Sequence, residues 1–216
     1  MSDFIAAACV GVTQVTVGHP FDTAKVLIQN KKKWAGLPIR DYYRGWRFPL
    51  IGSILFNCTV FPTYERTLKY TNSCAISGAV AGLIISPAVF CFEVGTIKQQ
   101  TKQNLHNFFQ TKGKYSVFAR ETIAMSTYFS IYNYAKKKEV HTLTAGGAAG
   151  LANWTITYPV DVVKSRQIAQ NISIRSAIKQ GNLWKGYPIC AARAMVVNAA
   201  NFWVYETVKN LLEESN

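Results

Sequence analysis

The sequence predicts an all-α membrane protein whose helices come in three pairs, and three observations carry that prediction. Uncharged stretches at 4–21, 48–64, 71–92 and 142–160 are each about long enough to cross roughly 30 Å of hydrocarbon as a helix. Two shorter stretches, 122–135 and 194–205, reach that length once Arg120, Glu121 and Arg193 are taken into the membrane zone. The six stretches also fall into three copies of a unit of about 70 residues, at roughly 1–70, 71–140 and 141–216, within one domain spanning 1–216.

The first copy opens on the stretch 4–21, which ends in "HPFDTAKV": Pro20, then Asp22 and Lys25. The third copy repeats this as "YPVDVVKS", with Pro159, Asp161 and Lys164. In each, a glycine (Gly11, Gly150) stands nine residues before the proline, and nine residues after Gly82 lies Cys91. Glu93 and Thr96 therefore hold the acid and base positions of the second copy. A second marker fixes the register: "YRG", "TKG" and "WKG" end at Gly45, Gly113 and Gly186, and a tyrosine follows each by 19 residues, at Tyr64, Tyr132 and Tyr205. The first helix of each copy also carries small residues four apart (Ala7 and Gly11, Gly78 and Gly82, Gly146 and Gly150), spacing that suits close backbone packing in lipid.

With 24 basic against 11 acidic residues the chain is strongly cationic, which fits nucleic acid, an anionic membrane surface or an anionic solute. Six apolar spans exclude a nucleic-acid-binding protein. Mean hydropathy is near zero because the charges are clustered, not because spans are lacking. The apolar run starts at residue 4, so no cleavable leader is expected. Five cysteines form no CxxC pair, and His19, His106 and His141 are scattered, so neither a metal site nor a cofactor is expected. No nucleophile–base constellation is present, and the chain is not expected to be an enzyme.

Three repeats carrying Pro-x-acid-x-x-base and then aromatic-base-Gly resemble the mitochondrial carrier family over residues 4–212. The resemblance implies six transmembrane helices in three pseudo-threefold repeats around a central cavity, in the mitochondrial inner membrane. It implies alternating access through two gates, a monomer, and membrane lipid, cardiolipin, near Gly45, Gly113 and Gly186. The chain is shorter than typical members and lacks the acid-Gly motif of the loops, so trimmed surface helices are expected.

The residues support that reading on physical grounds. A proline removes a helix hydrogen bond and bends the helix, so three such helices could converge at one end, where acid and base would meet across helices. Such pairs are strong when dry and weak when wetted, as a gate requires. By the family pattern Asp161 pairs with Lys25 and Glu93 with Lys164, with Gln29 and Gln100 as braces. Asp22 faces Thr96 instead of a base, which predicts a matrix-side gate of two salt bridges plus at best a hydrogen bond. The opposite, cytoplasmic gate is expected from Tyr64, Glu65, Tyr132, Lys136, Tyr205, Glu206 and Lys209. It is weakened by Asn133 and Leu68 at charged positions.

The family's substrate-contact level lies seven residues after each of the three glycines, at Gly52, Arg120 and Arg193. An intramembrane arginine is costly and marks a functional site by default, and both arginines can hold a carboxylate. The expected substrate site is Arg120, Glu121 and Arg193 with Gly52, Ser53 and Asn57. The pair Arg120–Glu121 and the segment 193–206 resemble the amino acid, carnitine and ornithine branch. No second acid lies near Gly52, so a dibasic substrate is not favoured. The substrate class expected is a small carboxylate-bearing metabolite, moved or exchanged. The alternatives are a nucleotide, or a degenerate fold that binds lipid or a partner without transport. Trp154 and Trp203 are expected to pack toward the membrane.

Overall fold

The long apolar stretches become long helices in the computed structural model, which describes residues 2–104 and 108–214. Within helices and the short loop turn, the side chains of 2–10, 57, 109, 142–143, 198–199, 202, 205–206 and 209–214 lie outside the described residues. Six helices of 24 to 29 residues form the body: α1 (Ser2–Gln29), α3 (Arg47–Thr71), α4 (Cys74–Gln100), α5 (Lys114–Lys137), α6 (Thr142–Gln170) and α8 (Tyr187–Glu214). Among the described residues, only α2 (Ile39–Tyr42), one 3-10 turn (Phe108–Gln110) and α7 (Ile174–Lys179) lie between them, the short surface pieces expected. Among the described residues the secondary structure is entirely helical. By length and composition, only α4 among the described residues is apolar enough to cross a membrane; the uncharged stretch 4–21 of α1 begins among side chains outside the described residues.

The long helices α3, α4, α5 and α6 pack side by side in chain order, and α8 packs along α1. Helices α1, α4 and α6 meet at their C-terminal ends through polar bonds. Asn30 of the loop after α1 bonds Ser165 (3.1 Å), Gln100 bonds Thr23 (3.1 Å), and Lys32 donates to the Thr101 carbonyl (2.7 Å). Arg166 is fully buried there, its guanidinium donating to the carbonyls of Gln29, Ala177, Gly181 and Asn182. Those acceptors include helix-end carbonyls that have no partner within their own helix.

Pro20 lies inside α1 and Pro159 inside α6, as the motif expects, whereas α4 has its proline at Pro87, one turn before Cys91. A proline lacks the N–H that would cap the carbonyl four residues back. In α1 that carbonyl is Thr16's, and the Tyr43 hydroxyl donates to it instead (2.9 Å).

The glycines of the three aromatic-base-Gly motifs have φ of 83°, 121° and 91°, a left-handed backbone that L side chains avoid. Each also seats a helix start against a neighbour. A Cβ on Gly45 would approach the Thr96 carbonyl of α4, one on Gly113 the Ile168 side chain of α6, and one on Gly186 the Tyr158 hydroxyl. The small-residue pairs behave differently from one another. A Cβ on Gly78 would lie 2.5 Å from the Met125 carbonyl of α5, and one on Gly82 would collide with that of Glu121, so these two glycines allow α4 and α5 to touch. Gly11, Gly146 and Gly150 have nothing within 4 Å, which corrects the expectation of close packing at all three pairs.

Stability in detergent should register this contrast. Gly82→Ala forces apart two backbones and is expected to cost about 1–3 kcal/mol, whereas Gly150→Ala meets open space and should be neutral or gain up to about 1 kcal/mol; thermal unfolding midpoints compare them. A second outcome concerns Asp41 on α2, which binds Lys102 (2.6 Å) and Arg44 (2.9 Å). The Lys102 hydrogen bond foremost, with the charges of Lys102 and Arg44, holds its carboxyl below the ordinary 3.8. A depressed folded pKa means its stabilisation is complete above that ordinary value and lost as pH falls through the folded one. Wild type should therefore lose stability relative to Asp41→Asn as the pH drops below about 4, read as the difference between their unfolding midpoints.

Candidate functional site

Where α1, α4 and α6 converge, a cavity of about 390 Å³ is lined from several helices. Its floor is a chain of alternating charges. Lys25 meets Asp161 at 2.6 Å, Asp161 meets Lys164 at 3.2 Å, and Lys164 bonds Glu93. Desolvation makes a lone charge here very costly, so each charge has an opposite neighbour. Gln29 Nε2 donates to Asp161 (3.2 Å). Gln100 instead donates to Thr23, so it ties α4 to α1 and does not touch the Glu93–Lys164 bridge.

The third acid departs from the expectation. The Thr96 hydroxyl donates to the Phe92 carbonyl one turn back (2.8 Å), a habit of helical threonine. Asp22 is paired with Arg193, whose Nε stands 2.8 Å from Oδ1. In place of the two salt bridges and weak third contact expected, three ion pairs surround the cavity. The third base comes from α8, because α8 packs along α1 and a long arginine can reach sideways.

Arg120 and Arg193 both line this cavity, as do Asp22, Lys25, Gln29, Glu93, Thr96, Gln100, Asp161 and Lys164. Glu121 is buried beside Arg120 and forms an ion pair with it, so it neutralises the arginine and does not line the cavity. Gly52 and Ser53 line an adjoining cavity of about 400 Å³ that shares Pro49, Phe56, Phe92 and Glu93 with the first. The Asn57 side chain lies outside the described residues.

Sequence reasoning misplaced Trp154, which was expected to face the membrane. Its ring lies under two cavity cations, Lys25 (4.7 Å) and Arg120 (5.1 Å), a contact between ring quadrupole and cation. Trp203 is 70% exposed and faces outward as expected. Lys25 and Trp154 lie on different repeats, so no spacing within one copy pointed to this contact.

At the other end, Tyr64 stacks on Phe129 (3.7 Å between ring centroids) and Tyr132 on Tyr128 (6.1 Å). Glu65 and Lys136 are exposed, and among the described residues no ion pair joins them. The side chains of Tyr205, Glu206 and Lys209 lie outside the described residues.

Several buried polar atoms around the main cavity lack a protein partner: Glu93 Oε2, Glu121 Oε2, Gln29 Oε1, Gln100 Oε1 and Arg120 Nε. Buried polar atoms are nearly always satisfied, so these are atoms with capacity for a further partner. Paired ions thus line a charged chamber between the long helices.

Comparison with known proteins agrees. The family model described as mitochondrial carrier protein matches residues 135–216. The chain is 30% identical to mitochondrial substrate carrier family protein S of Dictyostelium discoideum, over 98% of each chain. It is 27% identical to mitochondrial ornithine transporter 1 of Saccharomyces cerevisiae, over 97% of this chain and 95% of that one. It is 28% identical to the mitochondrial basic amino acids transporter of Bos taurus, over 93% and 88%. The chain belongs to the mitochondrial carrier family, and it is a transporter, not an enzyme.

The buried chain yields a stability outcome. Asp161→Asn leaves Lys25 without an anionic partner and should cost about 3–5 kcal/mol, measured by unfolding in detergent. Asp161→Glu should recover part of the loss.

Proposed function

We propose that this chain crosses the mitochondrial inner membrane six times, in three repeats around the cavity described above, and exchanges a small amino-acid-like metabolite by alternating access. One observation carries the reading. Two arginines at the same depth of two repeats, Arg120 and Arg193, face one cavity with carboxylates on its wall.

Spanning is supported by the charges within α1, α4, α5, α6 and α8 (Asp22, Lys25, Glu93, Arg120, Asp161, Lys164, Arg193), which turn toward this interior, as intramembrane charges do. The seating of Gly45, Gly113 and Gly186, each against the first helix of the following repeat or its contacts, supports a closed ring of repeats. Ion pairs at the α1–α4–α6 end, with no ion pair on Glu65 or Lys136 at the other among the described residues, fit a carrier shut toward the matrix and open toward the cytoplasm.

The substrate's carboxylate is taken by Arg120 and Arg193. Glu93 Oε2, on the wall of the same cavity, suits an ammonium group. That restores the basic amino acids as candidates, in keeping with the names of the ornithine and basic amino acid relatives. The sequence disfavoured them because it located no acid near Gly52; Glu93 lines both cavities. Grooves of about 550 and 370 Å³ beside Gly45, lined by Arg40, Arg44, Arg47 and Lys102, suit the phosphates of cardiolipin, and the carrier acts as a monomer.

Counter-exchange in liposomes against a panel of amino acids, carboxylates, carnitine and nucleotides tests the reading. Saturable exchange of an amino acid is expected, and no exchange of any compound would overturn it. Arg120→Ala should reduce exchange at least about 100-fold, from loss of a charge-assisted bidentate contact, with the protein still folded. Arg120→Lys should retain more.

A further inference from the structure

We propose that Arg193 serves two partners in turn: it closes the third arm of the gate on Asp22 when the carrier is empty, and it leaves Asp22 to hold the carboxylate when substrate enters. This rests on the transport reading above and adds a coupling between binding and opening. The base expected at position 96 is a threonine turned back on its own helix, so no lysine or arginine on α4 reaches Asp22. Arg193 supplies the charge from a different depth and a different helix.

The geometry of that arm differs from the other two in a consistent direction. The Arg193 and Asp22 side chains keep 21% and 34% of their surface exposed, against 9% and 5% for Lys25 and Asp161. Water weakens an ion pair in proportion to the local dielectric, so this arm is the one most easily exchanged. The Nε–Oδ1 approach is close, yet the N–H is not aligned to form a hydrogen bond. A carboxylate brought by substrate can offer the guanidinium the bidentate geometry that Asp22 does not.

Gly18, one turn before Asp22, provides the room: a Cβ there would lie 3.0 to 3.3 Å from three guanidinium atoms of Arg193. The guanidinium therefore lies across the α1 backbone at Gly18 and, like Asp22, lines the cavity. The empty carrier is held shut by three ion pairs and the loaded one by two. Binding then removes one restraint without breaking the buried chain.

An arginine engaged by Asp22 is unavailable to substrate, so apparent affinity falls by the fraction of time it is free. Two variants release it by different routes. Asp22→Asn removes the competitor. Thr96→Lys offers Asp22 a base on α4 and lets Arg193 go. Both should lower the KM of exchange, by about tenfold if Arg193 is free about a tenth of the time. Uptake into liposomes without internal substrate should rise in Asp22→Asn and stay low in Thr96→Lys, whose third bridge is rebuilt. A purely structural pair would leave KM unchanged or raise it. Exchange that persists with no fall of KM in Thr96→Lys overturns the proposal and leaves the transport reading standing.

Absence of exchange by the wild-type protein overturns the transport reading instead, and unfolding in detergent then decides whether a base introduced on α4 can replace Arg193. Arg193→Ala should lower the midpoint by about 2–4 °C with Thr96 present, and by less than half as much in the Thr96→Lys background. Equal losses in the two backgrounds overturn the proposal.

Discussion

The requirement that every charge taken into the helical bundle keep an opposite partner governs the architecture around the cavity. Lys25, Asp161, Lys164 and Glu93 form one continuous chain across α1, α6 and α4. Each link is nearly dry at one or both ends, so losing any member strands a charge that the interior cannot solvate. The chain can exist only if the C-terminal ends of the three helices meet. The fittings nearby, Asn30 with Ser165, Gln100 with Thr23, and Arg166 with four carbonyls, hold those ends together.

That requirement also explains the balance of the chamber. Four cations line it (Lys25, Lys164, Arg120, Arg193) with three acids (Asp22, Glu93, Asp161), and Glu121 behind Arg120 supplies the fourth negative charge. A neutral chamber of paired ions does not attract an anion by net field. On the transport proposed above, a guest carrying both signs can exchange partners with such a wall, which suits a zwitterion better than a simple anion. The protein's large positive charge lies mostly elsewhere, on the linkers and helix ends.

Economy in the linkers has a structural counterpart. Segments between the long helices hold only two short helices and a 3-10 turn among the described residues. With little surface helix to brace the converging ends, a buried arginine does the bracing. Arg166 reaches from α6 to the end of α1, to α7 and to the loop after it, satisfying carbonyls that a longer helix would have paired internally.

Much of this was legible from spacing alone. The threefold register of Pro20, Cys91 and Pro159 with Gly45, Gly113 and Gly186 pointed to the six long helices. The motif's acids and bases pointed to Lys25–Asp161 and Glu93–Lys164, because a regular helix turns a fixed spacing into a fixed face. What spacing within a copy could not reveal is which side chains from different copies share a volume. The partner of Asp22, the ring beneath Lys25 and Arg120, and the difference between Gly82 and Gly150 depend on distances between helices far apart in sequence. Spacing could say only that Asp22 has no base on α4. Its actual partner, Arg193, comes from the packing of α8 along α1, because the reach of a long side chain is realised only by the helix that lies beside it.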